Sequence, residues 1–324
     1  MSGVSIGVDI GGSLIKIAAV DRQGHVYARD GFASTDQQFV ANLIEHIRTF
    51  SSHLPTNLTV EGYGFGVPCY ALGEDWVLRN VTNLPHLEGY PLRPALAQTF
   101  GEKIACTYDT NAAGLAEFLW GAGVNCERFL FMGIGTGISA SFFIRSMGAI
   151  SFTYGTLGDT GHIIVEPNSP LKCACGGYGC LESLAAAPAI RRRALQVAND
   201  TASESLLSVK LKQAGDLSAP DVSEAAESGD AAAIAILEQT GRYIGIALTS
   251  YLHIFLPQLI VLGGGVSQAG ELLLNPVRRT IDSLASPWFK EQLTGIVSSR
   301  FGTEAGAMGC AGLIYYPELI NPVH

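Results

Sequence analysis

Short apolar runs alternate with glycine-containing turns near the start of the chain. Val4–Ile10 (VSIGVDI) is rich in β-branched residues and runs into Gly11-Gly12, after which Ile15–Asp21 (IKIAAVD) continues. This pattern predicts a strand, a tight turn and a second strand, with a third strand at "HVYARDGF". Because a strand rather than a helix follows the glycines, the pattern does not fit the strand-to-helix step of a dinucleotide-binding fold.

Longer segments further along the chain have apolar residues at helical spacing or form apolar runs typical of buried strands. Apolar residues at helical spacing predict helices at Gln38–Phe50, Asn111–Trp120, Ala185–Ala198, Asp230–Phe255, Leu272–Leu284 and Ala307–Tyr316. Apolar runs predict buried strands at Val60–Val67, Lys103–Asp109 and Gln258–Val266. The polar stretch Thr201–Ser223 predicts either an insertion or loosely packed helices.

The layout at the start of the chain recurs near its middle. "RFLFMGIG" predicts a strand, and "TGISASFFI" predicts a second strand after a glycine turn. A helix-rich stretch follows, as it does after the first hairpin. We interpret this recurrence as a duplication of one α/β unit.

Composition and charge narrow the class of protein. The chain has 324 residues, 48% hydrophobic and 15% charged, which predicts one large or two ordinary domains with a substantial core. The net charge of −9 argues against a nucleic-acid partner. The basic cluster Arg191–Arg193 is expected to be a solvated helix face. No apolar run reaches roughly 18 residues and the N-terminus lacks a signal pattern, so we expect no membrane association and a cytoplasmic location.

Three of the seven cysteines lie close together, downstream of a histidine. His162, Cys173, Cys175 and Cys180 offer one imidazole and three thiolates, the number and softness of ligands for a tetrahedral structural zinc site. The alternative is three free thiols in a tight loop. The scattered cysteines have apolar neighbours and are expected in the core, because a disulfide framework is not expected in a reducing compartment; they are Cys69, Cys106, Cys126 and Cys310.

Three predicted strands end in glycine-rich turns that can hold phosphate. Glycine lets backbone N–H groups approach an anion, and serine or threonine adds a hydroxyl donor. The alternative for each turn is a tight bend without a ligand. None of the turns has the Walker A spacing. The candidate nucleotide-binding residues are Asp9, Gly11, Gly12, Ser13 and Lys16, then Gly133, Gly135, Thr136 and Gly137, then Gly263, Gly264 and Gly265.

The motifs resemble those of a known group of enzymes. "VDIGGSLIK" and "GIGTGIS" resemble the two phosphate motifs of actin-like sugar kinases, and "LGGGVS" resembles their adenosine motif. The segment from "GDTGH" to "CACGGYGCLE" resembles the signature of the ROK (repressor, open reading frame, kinase) family. The resemblance implies an α/β, two-lobed actin-like ATPase (ribonuclease H-like) fold, in which each lobe is a mixed sheet with flanking helices that closes over ATP. It places the N-terminal lobe at residues 1–110 plus about 301–324, and the C-terminal lobe with the zinc motif at 111–300.

The resemblance also implies an activity: ATP-dependent phosphorylation of a hexose hydroxyl, the 6-OH. "CTYDTNAAGLAE" resembles the family segment that carries the catalytic aspartate, here Asp109. A carboxylate within reach of the attacking hydroxyl can accept its proton. The alternative is that Asp109 only caps the following helix. By resemblance, the sugar-binding residues are Asn83, Asn111, Asp159, His162 and Glu182.

Several of these roles have alternatives. Asn83 is either a sugar contact or a turn residue before Pro85, and Asn111 either touches sugar or stabilises the Asp109 loop. The resemblance places Asp9 near Mg²⁺ through water, whereas the alternative is a hairpin cap. Lys16 either pairs with phosphate or caps its strand.

Two departures from the family pattern concern the sugar pocket. Tyr108 stands where relatives have Asn, and Asp159 stands where they have Glu. We therefore expect a substrate other than plain glucose, with allose or another epimeric hexose as candidates. The C-terminal "GTEAGAMGCAG" resembles the family helix that packs on the first lobe, so its small residues are expected to serve close packing.

Alternative functions follow from the same resemblance. A catalytically silent sugar- or nucleotide-binding sensor would explain the two departures, and polyphosphate could replace ATP as donor. A transcriptional regulator of the family carries a helix-turn-helix before the first hairpin, which here begins near Val4. Relatives are often dimers, so a homodimer is expected.

Overall fold

The computed structural model describes residues 2–34, 38–81, 84–152, 155–200 and 204–320. Residue contacts divide the chain into two units. One consists of Met1–Glu127, Ser141–Gly158 and Thr303–His324, and the other of Arg128–Ala140 and Asp159–Gly302. The first unit therefore continues past residue 110, where the sequence suggested a boundary.

Most strands belong to two five-stranded sheets. The strands are β1 (Ser2–Ile10), β2 (Leu14–Val20), β3 (Val26–Ala33), β4 (Leu58–Val67), β5 (Tyr70–Leu72), β6 (Val77–Arg79), β7 (Ile104–Tyr108), β8 (Arg128–Ile134), β9 (Ile138–Ile144), β10 (Gly148–Ile150), β11 (Leu259–Gly263) and β12 (Gly295–Ser298). The first sheet has the order β3-β2-β1-β4-β7, and the second has the order β10-β9-β8-β11-β12. Strands β5 and β6 form a separate hairpin.

The two sheets share one strand order. In each, a meander of three strands is followed by two strands added on the other side of the first. In the first sheet β1 runs antiparallel to β2 and parallel to β4, and β4 runs parallel to β7. In the second sheet β11 runs parallel to both β8 and β12. This common order is what the duplication predicted from sequence requires.

Helices connect and cover the strands. They are α1 (Phe39–Ser52), α2 (Leu92–Phe100), α3 (Asp109–Trp120), α4 (Leu181–Ala185), α5 (Ala187–Ala198), α6 (Leu206–Ala214), α7 (Ala219–Glu227), α8 (Ala231–Phe255), α9 (Glu271–Leu284), α10 (Pro287–Gln292) and α11 (Ala305–Tyr315). No helix within the described ranges is long and apolar enough to cross a membrane.

Helix α11 packs on the first sheet through small residues. A Cβ built on Gly64 would lie 1.8 Å from the Cys310 carbonyl oxygen, and one built on Gly309 would lie 1.6 Å from the Ala112 carbonyl oxygen. The backbones of β4, α3 and α11 therefore approach more closely than any side chain allows. This packing keeps α3 in the first unit.

The region after the predicted metal loop differs from the expectation. The helix expected at Ala185–Ala198 is present as α5, which begins at Ala187 after the short helix α4. The segment Thr201–Ser223, expected to be an insertion or loosely packed helices, contains α6 and the start of α7. Leu207 and Val222 are fully buried there, so these helices are packed. Asp230 holds the region together, since its Oδ1 accepts a hydrogen bond from Ala233 N and its Oδ2 one from Ser205 Oγ.

The basic cluster is not the solvated face that the sequence suggested. Arg191 is exposed and pairs with Asp216 at 2.7 Å. Arg193 instead donates to Leu184 O at 2.7 Å and to Thr240 Oγ1 at 2.6 Å. Burial lowers the pKa of Arg193 to about 10, helped by the charge of Arg192. The cluster thus contributes to packing between helices.

Candidate active site and metal centre

Two carboxylates lie at the carboxyl edge of the first sheet. Asp9 is the penultimate residue of β1, and Asp109 is the first residue of α3, directly after β7. Strand β4 lies between β1 and β7 and runs parallel to both. With neighbouring strands about 4.8 Å apart, the two backbones are separated by roughly 10 Å. Both side chains thus belong to one edge of the sheet, where ligands bind in open α/β sheets.

Burial makes Asp109 a weak acid. Its Oδ1 accepts hydrogen bonds from Thr110 N at 2.6 Å and from Thr110 Oγ1 at 3.1 Å. Burial, reinforced by the negative charge of Asp9, raises the pKa of Asp109 to about 7 despite these hydrogen bonds. A carboxylate with such a pKa suits proton transfer near neutral pH. Asp109 also begins a helix, so the catalytic and helix-starting roles are compatible.

Asp9 is held between the first hairpin and α11. Burial raises its pKa to about 6, whereas the charge of Lys16 acts in the opposite direction. Asp9 and Lys16 are paired across β1 and β2. The Lys16 ammonium donates to the Thr303 carbonyl oxygen at 2.6 Å. A Cβ on Gly306 would lie 2.3 Å from Asp9 Oδ2, so this glycine provides the space for the carboxylate.

The first glycine turn is short and open. Gly11 N donates to Leu14 O at 3.1 Å, which closes the turn between β1 and β2. Gly12 and Ser13 are exposed. The turn therefore presents glycine backbone to solvent beside Asp9, as the phosphate hypothesis requires.

The second turn, at the end of β8, is supported by Glu182. Gly135 N donates to Gly137 O at 2.9 Å, and Thr136 and Gly137 are exposed. Glu182 Oε2 accepts a hydrogen bond from Ile138 N at 3.0 Å. A Cβ on Gly137 would lie 2.7 Å from the same oxygen. Glu182, expected to be a sugar contact, thus also fixes the chain just after this turn.

The third turn divides its glycines between two roles. A Cβ on Gly263 would lie 2.4 Å from the Phe131 ring, and one on Gly264 would lie 2.4 Å from the Ile134 carbonyl oxygen. These two glycines permit close packing of β11 on β8. Gly265 is exposed, and among the described residues no heavy atom lies within 4 Å of a Cβ built there. Gly265 is therefore the position of this turn with room for a ligand.

The expected sugar residues have different surroundings. Asn111 is buried and its Nδ2 donates to Gly155 O at 2.7 Å, a bond to a segment outside the Asp109 loop. Asp159 is exposed, and its Oδ1 lies 4.0 Å from His162 Nε2. Asn83 lies outside the described residues.

Sequence analysis missed an aromatic pair near Asp109. The rings of Tyr70 and Tyr108 are stacked with centroids 6.4 Å apart and an interplanar angle of 29°. Tyr70 opens the β5–β6 hairpin, next to Cys69, whose pKa is raised by burial and by the charge of Asp109. Tyr108 departs from the family pattern, but no local pattern in the sequence pointed to Tyr70 as its neighbour.

The histidine and three cysteines converge in the second unit. The ligand atoms of His162, Cys173, Cys175 and Cys180 all lie within 4.8 Å of one another. Cys173 Sγ is 3.5 Å from His162 Nδ1, and Cys175 Sγ is 3.6 Å from Cys180 Sγ. A tetrahedral site with Zn–S bonds of about 2.3 Å places its ligand atoms about 3.5–3.8 Å apart. The donor set and its spacing therefore fit zinc.

Tight backbone turns produce this convergence. Cys173 N donates to Gly177 O at 2.8 Å, and Val165 N donates to Gly179 O at 2.9 Å. Gly179 has φ 72°, and a Cβ there would lie 2.1 Å from the Glu166 carbonyl oxygen. Only glycine is compatible with both the conformation and the close contact.

Comparison with known proteins shows full-length similarity to sugar kinases. The chain is 30% identical over 312 residues to the glucokinase of Thermotoga maritima, covering 95% of this chain and 96% of that protein. The crystal structure of a ROK family glucokinase from Streptomyces griseus in complex with glucose and AMPPNP superimposes with a TM-score of 0.80 and 28% identity. That similarity covers 96% of this chain and 99% of the other.

Regulators share the same architecture. The crystal structure of a ROK family transcriptional regulator, a homologue of the E. coli MLC protein, superimposes with a TM-score of 0.83 and 25% identity. It covers 99% of this chain and 80% of that chain. The fold is thus that of the actin-like ATPase superfamily. The ROK family model matches residues 5–316, and the chain belongs to the ROK family.

Proposed function

We propose that the protein is an ATP-dependent hexose kinase that phosphorylates the 6-hydroxyl group, with Asp109 as general base. The observation that carries the proposal is the position of Asp109 at the carboxyl edge of the first sheet, with a pKa raised to about 7. Membership of a family whose full-length relatives are glucokinases supports the same activity.

Each part of the machinery has a residue suited to it. Asp109 accepts the proton of the attacking hydroxyl, and because its pKa is about 7 this base is lost as the pH falls below that value. The exposed first glycine turn, beside Asp9, offers backbone amides for a phosphate of ATP, and the exposed second turn offers amides of the same kind. Asp9 would hold Mg²⁺, which when bound would supply positive charge beside the phosphates.

We assign a structural role to the metal centre. His162, Cys173, Cys175 and Cys180 would supply all four ligands of Zn²⁺, which leaves no open position for substrate activation. The ion would fix the loop that carries Glu182 and, through His162, the neighbourhood of Asp159.

Within the hexoses, we propose a preference for a sugar other than glucose, with allose as the first candidate. The relatives named glucokinase make glucose the reference substrate. Tyr108 stacks on Tyr70 and cannot offer the paired donor and acceptor of an amide. Asp159 has a shorter side chain than the glutamate expected there. Each change alters a position to which the family resemblance gives a role in sugar recognition.

The test is ADP release from Mg·ATP with a panel of glucose, allose, mannose, fructose, N-acetylmannosamine and N-acetylglucosamine. The Asp109→Asn variant keeps the shape of the side chain and removes the base, so we expect a loss of about 10²–10⁴-fold in kcat. Asp216→Asn, an exposed aspartate that pairs with Arg191, is the matched control and should retain wild-type activity.

The alternative functions predict other outcomes. A sensor would bind sugar or nucleotide by calorimetry without releasing ADP with any hexose. A polyphosphate-dependent enzyme would form sugar phosphate with polyphosphate and not with ATP. A sugar-dependent rate that survives Asp109→Asn would exclude Asp109 as the base.

A further inference from the structure

The carboxylate of Asp9 lies against the first turn of α11. A Cβ built on Gly306 would lie 2.3 Å from Asp9 Oδ2, 2.5 Å from its Cγ and 3.1 Å from its Oδ1. The first two distances are far below van der Waals contact, and the third is tighter than an ordinary contact. The side chain of Asp9 thus occupies the volume that any larger residue at position 306 would fill.

Side-chain contacts from the first hairpin fix the chain just before α11. The Lys16 ammonium donates to Thr303 O at 2.6 Å, and Lys16 is the cross-strand partner of Asp9. The Arg29 guanidinium, from β3, lies 3.6 Å from the Glu304 carboxylate. Residues of the first hairpin thus hold the start of α11 beside Asp9.

We infer that Gly306 and Lys16 are positioning residues for Asp9: Gly306 leaves the space for its carboxylate, and Lys16 fixes the turn that borders it. That the ligand of Asp9 is Mg²⁺ bound together with a nucleotide rests on the proposed function. Lys16 then acts through the Thr303 carbonyl rather than as a direct ligand of phosphate.

A second glycine of the same helix provides the contrast. A Cβ on Gly309 would lie 1.6 Å from Ala112 O, a backbone atom that cannot move aside. A Cβ on Gly306 would meet the end of a side chain, which can rotate. Gly306→Ala should therefore fold, because alanine also favours helix over glycine, but with Asp9 displaced. Gly309→Ala should lose stability.

The experiment measures the affinity of a fluorescent ATP analogue with Mg²⁺ and with EDTA. In the wild type we expect Mg²⁺ to increase affinity. In Gly306→Ala we expect the Mg²⁺-dependent increase in affinity to fall roughly ten- to a hundredfold, because a displacement of a functional group by about 1 Å can have an effect of this size. The affinity in EDTA and the melting temperature should be retained. Gly295→Ala, where the added Cβ would lie 3.7 Å from Leu259 Cδ1, should match the wild type.

The variant Lys16→Met is an independent test of the role of Lys16, because it removes the ammonium group and keeps the aliphatic part of the side chain. We expect it too to reduce the Mg²⁺-dependent increase and to leave the affinity in EDTA unchanged. An equal loss of affinity in EDTA would show that Lys16 binds phosphate directly and would overturn its positioning role. An unchanged Mg²⁺ response in Gly306→Ala, or a drop in melting temperature like that of Gly309→Ala, would overturn the role of Gly306.

These outcomes are distinguishable from failure of the proposed function. If no hexose is phosphorylated but the Mg²⁺-dependent increase is lost in both variants, the positioning inference stands and the kinase proposal fails. A wild-type protein whose nucleotide affinity does not respond to Mg²⁺ would refute the inference directly.

Discussion

Burial weakens both carboxylates at the edge of the first sheet as acids, and the charge of Asp9 weakens Asp109 further. In each case the charged form of the carboxyl group is the one that is disfavoured. A neutral carboxyl would be the stable state of an isolated buried group. Keeping Asp109 in this environment therefore costs stability at pH values where it must be charged to act.

This cost predicts that Asp109→Asn stabilises the protein at high pH. The pKa of Asp109 is about 7 in the folded protein, whereas the ordinary value of 3.8 applies to the unfolded chain. At pH values between these two, the folded protein therefore binds more protons than the unfolded chain. The free energy of unfolding contributed by this group therefore falls as the pH rises from about 4 to about 7. Urea unfolding should show the variant more stable than the wild type at pH 8 and equal to it near pH 4.

The control for this prediction is Asp216→Asn. The pKa of Asp216 is lowered, first by its hydrogen bond with Arg191, so its removal cannot stabilise the protein through the same mechanism. Equal or lower stability of Asp109→Asn at pH 8 would show that the folded state does not disfavour the charged carboxylate.

At the scale of elements, α5 shows how one basic run divides its roles. Arg191 faces solvent, whereas Arg193 joins the end of α4 to α8 through Leu184 O and Thr240 Oγ1. A run of like charges usually forms a solvated face, and that rule fails here for Arg193. Its guanidinium satisfies a carbonyl and a hydroxyl inside a group of packed helices.

Substitution by methionine separates the two arginines. We expect Arg193→Met to lower the free energy of unfolding by about 1–3 kcal/mol, because two hydrogen bonds from a charged group are lost. Arg191→Met should cost no more than about 1 kcal/mol, as exposed ion pairs do. Chemical denaturation of both variants tests this difference, and equal losses would contradict it.

The loop of the metal centre has a test of its own. Cys175→Ser removes one of four ligands, so bound zinc, measured by elemental analysis, should fall from about one equivalent and the thermal midpoint should fall with it. Cys126→Ser, outside the cluster, should retain both. Wild-type protein without zinc, and with an unchanged midpoint after chelator treatment, would support the free-thiol alternative.

At the scale of the whole molecule, the net charge of −9 predicts weak binding to DNA through overall charge. A net charge of −9 offers no favourable release of counterions from the DNA backbone. We therefore expect no retardation of duplex DNA in a gel-shift assay at 150 mM salt, a condition in which non-specific binders reach a Kd of about 10⁻⁴–10⁻⁶ M. Retardation within that range would favour the regulator over the kinase.

The recurring strand–turn–strand layout predicted a duplicated α/β unit, and the two sheets have a common strand order. Hairpins of this kind are specified by neighbouring residues, so their recurrence is visible in sequence. The extent of the first unit was not foreseen, because it depends on α3 packing against α11 through Gly309, far away along the chain.

Features that depend on near neighbours are visible in the order of the residues. Glycines at strand ends, the His-Cys spacing and Asp109 after an apolar run are local patterns, and the ROK signature is built from them. The space that Gly306 leaves for Asp9, the bond from Lys16 to Thr303 and the stacking of Tyr70 on Tyr108 are visible only once the chain is folded. These contacts join residues from separate elements, and their distances are fixed by how whole strands and helices pack.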